Sequence, residues 1–136
     1  MDAVHEDVGA GLTGRGKQPL EPRLERFAIT AVRLAESLPN TCAGRYYADQ
    51  LLRAAGSAAL NYAESQGGST HRDFTNKLKL VFRELREARL AVRIIQGAGI
   101  HPGNTDLGGL LAEADELVAI LAASVKKAEQ RSPRRT

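Results

Sequence analysis

The sequence has few of the residues that build disulfide, metal or catalytic sites. Its 136 residues include one cysteine, three histidines and no tryptophan, and aromatic residues make up 4%. The single cysteine excludes an internal disulfide, and the acidic N-terminal residues lack the apolar run of a secretion signal. No segment approaches the roughly 18 consecutive apolar residues of a membrane span. We therefore expect a cytoplasmic protein with no membrane partner.

Enzymatic and metal sites also lack the motifs that would indicate them. A di-iron bundle requires Glu-x-x-His motifs, and no glutamate here is followed by histidine at that spacing. The glycine-rich segment 9–16 lacks the Lys-Ser/Thr pair and the preceding strand of a phosphate-binding loop. We predict no catalytic residues, no metal and no cofactor. The remaining alternative is an enzyme whose site forms only at subunit boundaries.

Apolar residues make up 43% of the chain, and their periodicity is helical. Apolar positions three and four residues apart predict helices from Arg23 to Leu38, Ala43 to Ser65, Arg72 to Gln96 and Thr105 to Glu129. Proline and glycine interrupt the pattern between these segments. Long helices joined by short loops predict an all-α protein, an antiparallel up-down-up-down four-helix bundle over residues 23–130. We expect residues 1–22 to form a flexible leader and residues 131–136 a disordered basic tail.

Basic residues follow one line along the third predicted helix. Arg72, Lys79, Arg86 and Arg93 recur every seven residues, and Arg83 lies one turn from Lys79. Residues at this spacing share one side of a helix, and a row of cations there can bind the phosphates of RNA or DNA. The alternative is a solvated charged face, partly neutralised by the nearby Glu84 and Glu87.

The same helix carries apolar residues away from its main apolar seam. These are Leu80, Leu90 and Ile94. Three such residues on one helix of a small protein indicate a second buried surface. We therefore predict a homo-oligomer.

Polar residues lie beside the apolar stripe of the second predicted helix. Arg53, Ser57, Asn61 and Glu64 fall on neighbouring turns. We interpret them as a structural polar network, in which buried hydrogen bonds hold the helices in register. The alternative is a small polar pocket with a binding role.

Several segments between residues 27 and 125 resemble a known family. They are residues 50–57 (QLLRAAGS), 61–64 (NYAE), 73–74 (DF), 77–80 (KLKL) and 84–87 (ELRE). These resemble the bacterial four-helix-bundle family of 23S rRNA intervening-sequence proteins, some of which are encoded within inserts in the large-subunit ribosomal RNA gene. Arg83 and Glu84 stand where a Gly-Ser pair is usual, as in a subgroup of that family.

The resemblance implies an antiparallel four-helix bundle that assembles into a ring-like homopentamer, with no known enzyme activity. The family is also similar to the accessory protein of diversity-generating retroelements, which binds nucleic acid and a reverse transcriptase. This similarity makes nucleic acid, and a protein such as a reverse transcriptase, the partners that the resemblance implies.

Two functional hypotheses follow from these observations. The leading one is a non-enzymatic oligomeric module that binds RNA or DNA through Lys79, Arg83, Arg86 and Arg93, assisted by the basic tail. The alternative is a protein-interaction scaffold whose charged face docks onto a protein partner and has no nucleic-acid role.

Overall fold

The computed structural model describes residues 19–68 and 70–131, which form four α-helices. They are α1 (Leu20–Ser37), α2 (Cys42–Ser65), α3 (His71–Ala98) and α4 (Leu107–Gln130). The described residues contain no strand, and none of their helices has an apolar stretch long enough to cross a membrane. Most of the predicted leader and of the predicted basic tail lies outside the described residues. The prediction of an all-α four-helix bundle is confirmed.

The first helix begins earlier than predicted. The expected start was Arg23, but the helix starts at Leu20, whose side chain is buried in the core. Pro22 lies in the first turn, where a missing backbone N–H breaks no helical hydrogen bond. Residues 20–22 therefore belong to the bundle and not to the leader.

Side chains and glycines mark the other helix ends. Thr41 caps α2 by accepting a hydrogen bond from the N–H of Gly44 at 3.0 Å, and Thr70 caps α3 by accepting one from Asp73 at 3.1 Å. Gly99 ends α3 with a left-handed φ of 70°, a conformation that favours glycine. Asp106 caps α4 through the N–H of Gly109 at 2.9 Å. Thr105, the predicted start of the fourth helix, lies in the loop before this cap.

The core is built mainly from leucine and alanine. The predicted seam of α3 is buried from Leu78 to Ile95, and small buried residues of α2 (Ala54, Ala55 and Ala58) pack in the same core cluster. Short loops make consecutive helices antiparallel neighbours. α2 thus packs against α1 and α3, and α4 packs against α3, whereas α1 and α4 touch little.

The apolar face of α4 is wider than predicted. Leu107, Ala114, Val118 and Leu121 are buried as expected, but Leu111 and Val125 are only partly buried. A second row of residues is buried with the first: Leu110, Leu117, Ile120 and Ala128. A helix that packs on a bundle core buries a stripe broader than a two-position seam. The strict alternation of four and three residues therefore described only part of this face.

Two leucines of α2 test this account of the core. Leu51 is fully buried, whereas Leu60 is 68% exposed. We expect Leu51→Ala to lower the free energy of unfolding by about 2 to 5 kcal/mol, because it leaves a cavity in the core. The control Leu60→Ala should change it by less than about 0.5 kcal/mol. Urea unfolding followed by circular dichroism measures both, and equal losses would contradict the assigned orientation of α2.

Candidate functional site

All five predicted basic side chains lie on the outward face of α3. Arg72, Lys79, Arg83, Arg86 and Arg93 are exposed, and we call this set the basic stripe. The stripe spans about 80° of the helix circumference, because successive residues turn by about 100°. At a rise of about 1.5 Å per residue, it extends about 32 Å along the helix. The buried seam lies on the opposite side of α3.

Few acidic groups neutralise the basic stripe. Lys79 pairs with Glu129 of α4 at 2.9 Å, and both side chains are half exposed. Arg86 lies over the ring of Phe82, 5.6 Å from its centroid. Within residues 19–68 and 70–131, the other three members (Arg72, Arg83 and Arg93) form no ion pair.

Glu84 and Glu87, which the alternative interpretation assigns to partial neutralisation of the basic stripe, form their ion pairs with Arg53 of α2. Both carboxylates point toward α2, where the Arg53 guanidinium lies 3.4 Å from Glu84 and 3.1 Å from Glu87. Hydrogen bonds to Glu87, together with the charges of both carboxylates, raise the pKa of Arg53. The two acids are therefore engaged between helices, and among the described residues Lys79 is the one member of the basic stripe in an ion pair.

The predicted second apolar surface overlaps the basic stripe. Leu90 is 53% exposed and lies between Arg86 and Arg93 on the outward face, while Leu80 and Ile94 are partly buried. Of the residues predicted to drive assembly, Leu90 thus lies within the face predicted to bind phosphate. A single face of one helix cannot be covered by a subunit and by nucleic acid at the same positions.

The predicted polar network divides into two groups. The Asn61 side-chain amide donates to the carbonyl and the hydroxyl oxygens of Ser57, both at 2.9 Å. Lys77 of α3 donates to Asn61 at 3.2 Å and to Glu64 at 2.7 Å. Arg53 is not a member, because it faces Glu84 and Glu87. The prediction of one buried network is therefore wrong, since Glu64 is exposed and the group lies at the α2–α3 surface.

A buried arginine that the sequence analysis did not select connects α1 to α4. Arg23 is 4% exposed, and it donates through Nε and Nη2 to Glu113 at 2.9 and 2.8 Å, and through Nη2 to Glu116 at 2.6 Å. The hydrogen bonds that Arg23 donates to Glu113, and then the one to Glu116, raise the pKa of Arg23 against the opposing effect of burial. Its Nη1 has no hydrogen-bond partner among the described residues. Arg23 lies four residues before Phe27, on the apolar side of α1, and this position could have indicated its burial from the sequence.

A cleft of about 690 Å³ lies beside this contact. α1 and the first turns of α4 form its walls, and Phe27, Leu34 and Leu110 provide its apolar floor. No residue of the basic stripe lines it. Across residues 19–68 and 70–131, no group of three or more His, Cys, Asp or Glu side chains is placed to hold a metal ion.

Comparisons with known proteins agree with this architecture. Residues 23–123 match the family model for the 23S rRNA-intervening sequence protein. A crystal structure from Bacteroides thetaiotaomicron, of a protein with unknown function from the S23 ribosomal protein family, superposes with a TM-score of 0.70 at 20% sequence identity. The superposition covers 79% of this chain and 98% of that one, and at this identity it supports the fold alone. No curated protein is significantly similar in sequence.

Removing the acidic side of the Arg23 contact should lower the free energy of unfolding more than removing the arginine. Glu113→Ala should lower the free energy of unfolding by about 1 to 3 kcal/mol, because a buried guanidinium loses acceptors. Arg23→Met removes the buried charge and fills its space, so its loss should be smaller. The double variant should be about as stable as Arg23→Met alone.

Urea unfolding measures these differences. The control is Asp115→Ala, which removes the 3.3 Å pair with Arg89 from a carboxylate that is 67% exposed. Removing this exposed pair should cost at most about 1 kcal/mol. A larger loss for Arg23→Met than for Glu113→Ala would show that the arginine stabilises the bundle mainly by packing.

Proposed function

This chain belongs to the 23S rRNA-intervening sequence protein family, and we propose that it is a non-enzymatic module that binds RNA or DNA through the basic stripe of α3. The observation that supports the proposal is the charge of that face. Its five cations are exposed along about 32 Å of helix, and Arg72, Arg83 and Arg93 have no ion-pair partner among the described residues.

A row of exposed cations suits phosphates better than base edges. Lysine and arginine that reach phosphate oxygens position a nucleic acid but carry no direct sequence information. The proposed binding is therefore weakly dependent on sequence and strongly dependent on salt. Arg131, the described part of the basic tail, is exposed and adds a cation at the end of α4.

A protein-interaction scaffold is the second candidate function. The exposed Leu90 within the basic stripe favours it, because an apolar side chain gains nothing from a phosphate. In this alternative, the outward face of α3 docks onto an acidic protein surface. A reverse transcriptase as that partner remains a prediction from the resemblance alone.

We further propose that the protein works as a homo-oligomer, and specifically as a ring-like pentamer, as the resemblance implies. Exposed apolar side chains outside α3 leave other faces for that assembly. They include Ile29 and Val32 on α1 and Tyr46 on α2. Contacts there would keep the basic stripe open to solvent in every subunit.

A triple variant tests the nucleic-acid role. Replacing Lys79, Arg83 and Arg86 together by Gln should weaken binding to all sequences alike, because three phosphate contacts are lost. The slope of log affinity against log salt should flatten by about 2 to 3, at about 0.9 for each lost contact to duplex DNA. Fluorescence anisotropy with labelled RNA and duplex DNA at several salt concentrations measures both effects.

The control for the triple variant removes the same charge elsewhere. Arg33, Arg45 and Lys126 are exposed on α1, α2 and α4, and replacing them together by Gln should leave the salt slope nearly unchanged. Equal effects of the two triple variants would assign binding to net charge and not to the basic stripe. Absence of wild-type binding at low salt would leave the scaffold as the function.

Light scattering coupled to size exclusion tests the assembly. The expected mass is five times the 14.6 kDa of one chain. Ile29→Glu with Val32→Glu should lower that mass if α1 forms the contact, because the charges would be buried there without partners. A monomeric wild type at micromolar concentration would remove the oligomer from the proposal, and a dimer would remove the ring.

A further inference from the structure

A second row of residues, which includes two apolar side chains, crosses the basic stripe. Phe82, Arg86 and Leu90 follow one another at intervals of four residues, so they lie side by side on the surface of α3. Arg86 belongs to both rows and sits where they cross. Its guanidinium covers the Phe82 ring at 5.6 Å, and Leu90 beyond it is 53% exposed.

Where the two rows cross, the surface can provide both base stacking and phosphate contacts. The Arg86 guanidinium lies over the Phe82 ring, and its planar group is a surface on which a nucleobase can stack. Leu90 extends that surface with an apolar side chain. Arg83 and Arg93 flank it, and neither has an ion-pair partner among the described residues. Stacking and phosphate binding are thus available within about two turns of the helix on either side.

A duplex cannot use the stacking surface. In a duplex the faces of the bases are stacked on one another, and the grooves expose only the edges of the bases. Base faces reach Arg86 and Leu90 only when the bases are unpaired.

We propose that the basic stripe binds single-stranded nucleic acid, with a base stacked on the Arg86 guanidinium beside Leu90 and with neighbouring phosphates at Arg83 and Arg93. The inference rests on the proposed function and restricts its ligand from RNA or DNA in general to single strands. Phe82 acts as a positioning residue, because its ring lies beneath the Arg86 guanidinium, 5.6 Å from Cζ to the ring centroid.

Two arginine-to-lysine variants separate stacking from charge. Arg86→Lys keeps the positive charge but loses the planar guanidinium. It should weaken binding to a single strand by roughly five- to tenfold, and change duplex binding by less than about twofold, because a phosphate contact survives. The matched control is Arg93→Lys, since Arg93 has no aromatic partner among the described residues. It should change both affinities by less than about twofold.

The measurement is a fluorescence-anisotropy titration of the full chain. The probes are a labelled mixed-sequence single-stranded RNA and the same strand annealed to its complement, at one salt concentration. Leu90→Ala should weaken binding to the single strand and spare the duplex, with the oligomer mass unchanged. Light scattering checks that mass.

The outcomes distinguish this inference from the proposed function. If the wild type binds the duplex as tightly as the single strand, or if Arg86→Lys and Arg93→Lys act alike, single-strand stacking is refuted and phosphate binding stands. If the wild type binds neither probe at low salt, both proposals fail together. A changed oligomer mass for Leu90→Ala would identify Leu90 as a subunit contact and refute its role beside the base.

Discussion

Burial of the α3 seam sets the direction of every other side chain on that helix. Val81, Leu85 and Val92 are fully buried, and they pack in one core cluster with the alanines of α2. Rotating α3 about its axis would expose these residues, at roughly 1.5 to 3 kcal/mol for each large apolar side chain. The basic stripe lies on the side of α3 opposite the seam, so it faces solvent when the seam is buried.

Polar contacts between neighbouring helices then determine how much charge the outward face keeps. Arg53 of α2 engages Glu84 and Glu87, and Lys77 reaches back to Glu64. Apart from the buried Glu84, the paired groups are exposed at the α2–α3 surface, where solvent weakens the pairs. Their main effect is therefore on the charge distribution, because the acidic side chains of α3 lie on the side facing α2, away from the arginines of the basic stripe. The resulting field favours an anionic partner on one side of the bundle.

The opposite edge of the bundle is organised differently. α1 and α4 make few contacts, and the buried guanidinium of Arg23 spans them through Glu113 and Glu116. A buried charge is tolerated only with hydrogen-bond partners, so this contact ties the register of α1 to that of α4. The cleft beside it follows from the same separation of the two helices. The bundle thus has a closely packed side at α2–α3 and an open side at α1–α4.

Four features could be predicted from the sequence: the four helices, the breaks between them, the buried seam of α3 and the common face of the basic stripe. These follow from the 3.6-residue period, which is a local property of the backbone. The contacts between helices could not be predicted in this way: Arg53 pairs with Glu84 and Glu87, Lys77 with Asn61 and Glu64, and Arg23 with Glu113. Partners on different helices depend on how each helix is rotated and crossed against its neighbour. Packing of the whole core sets those angles, and no single segment encodes them.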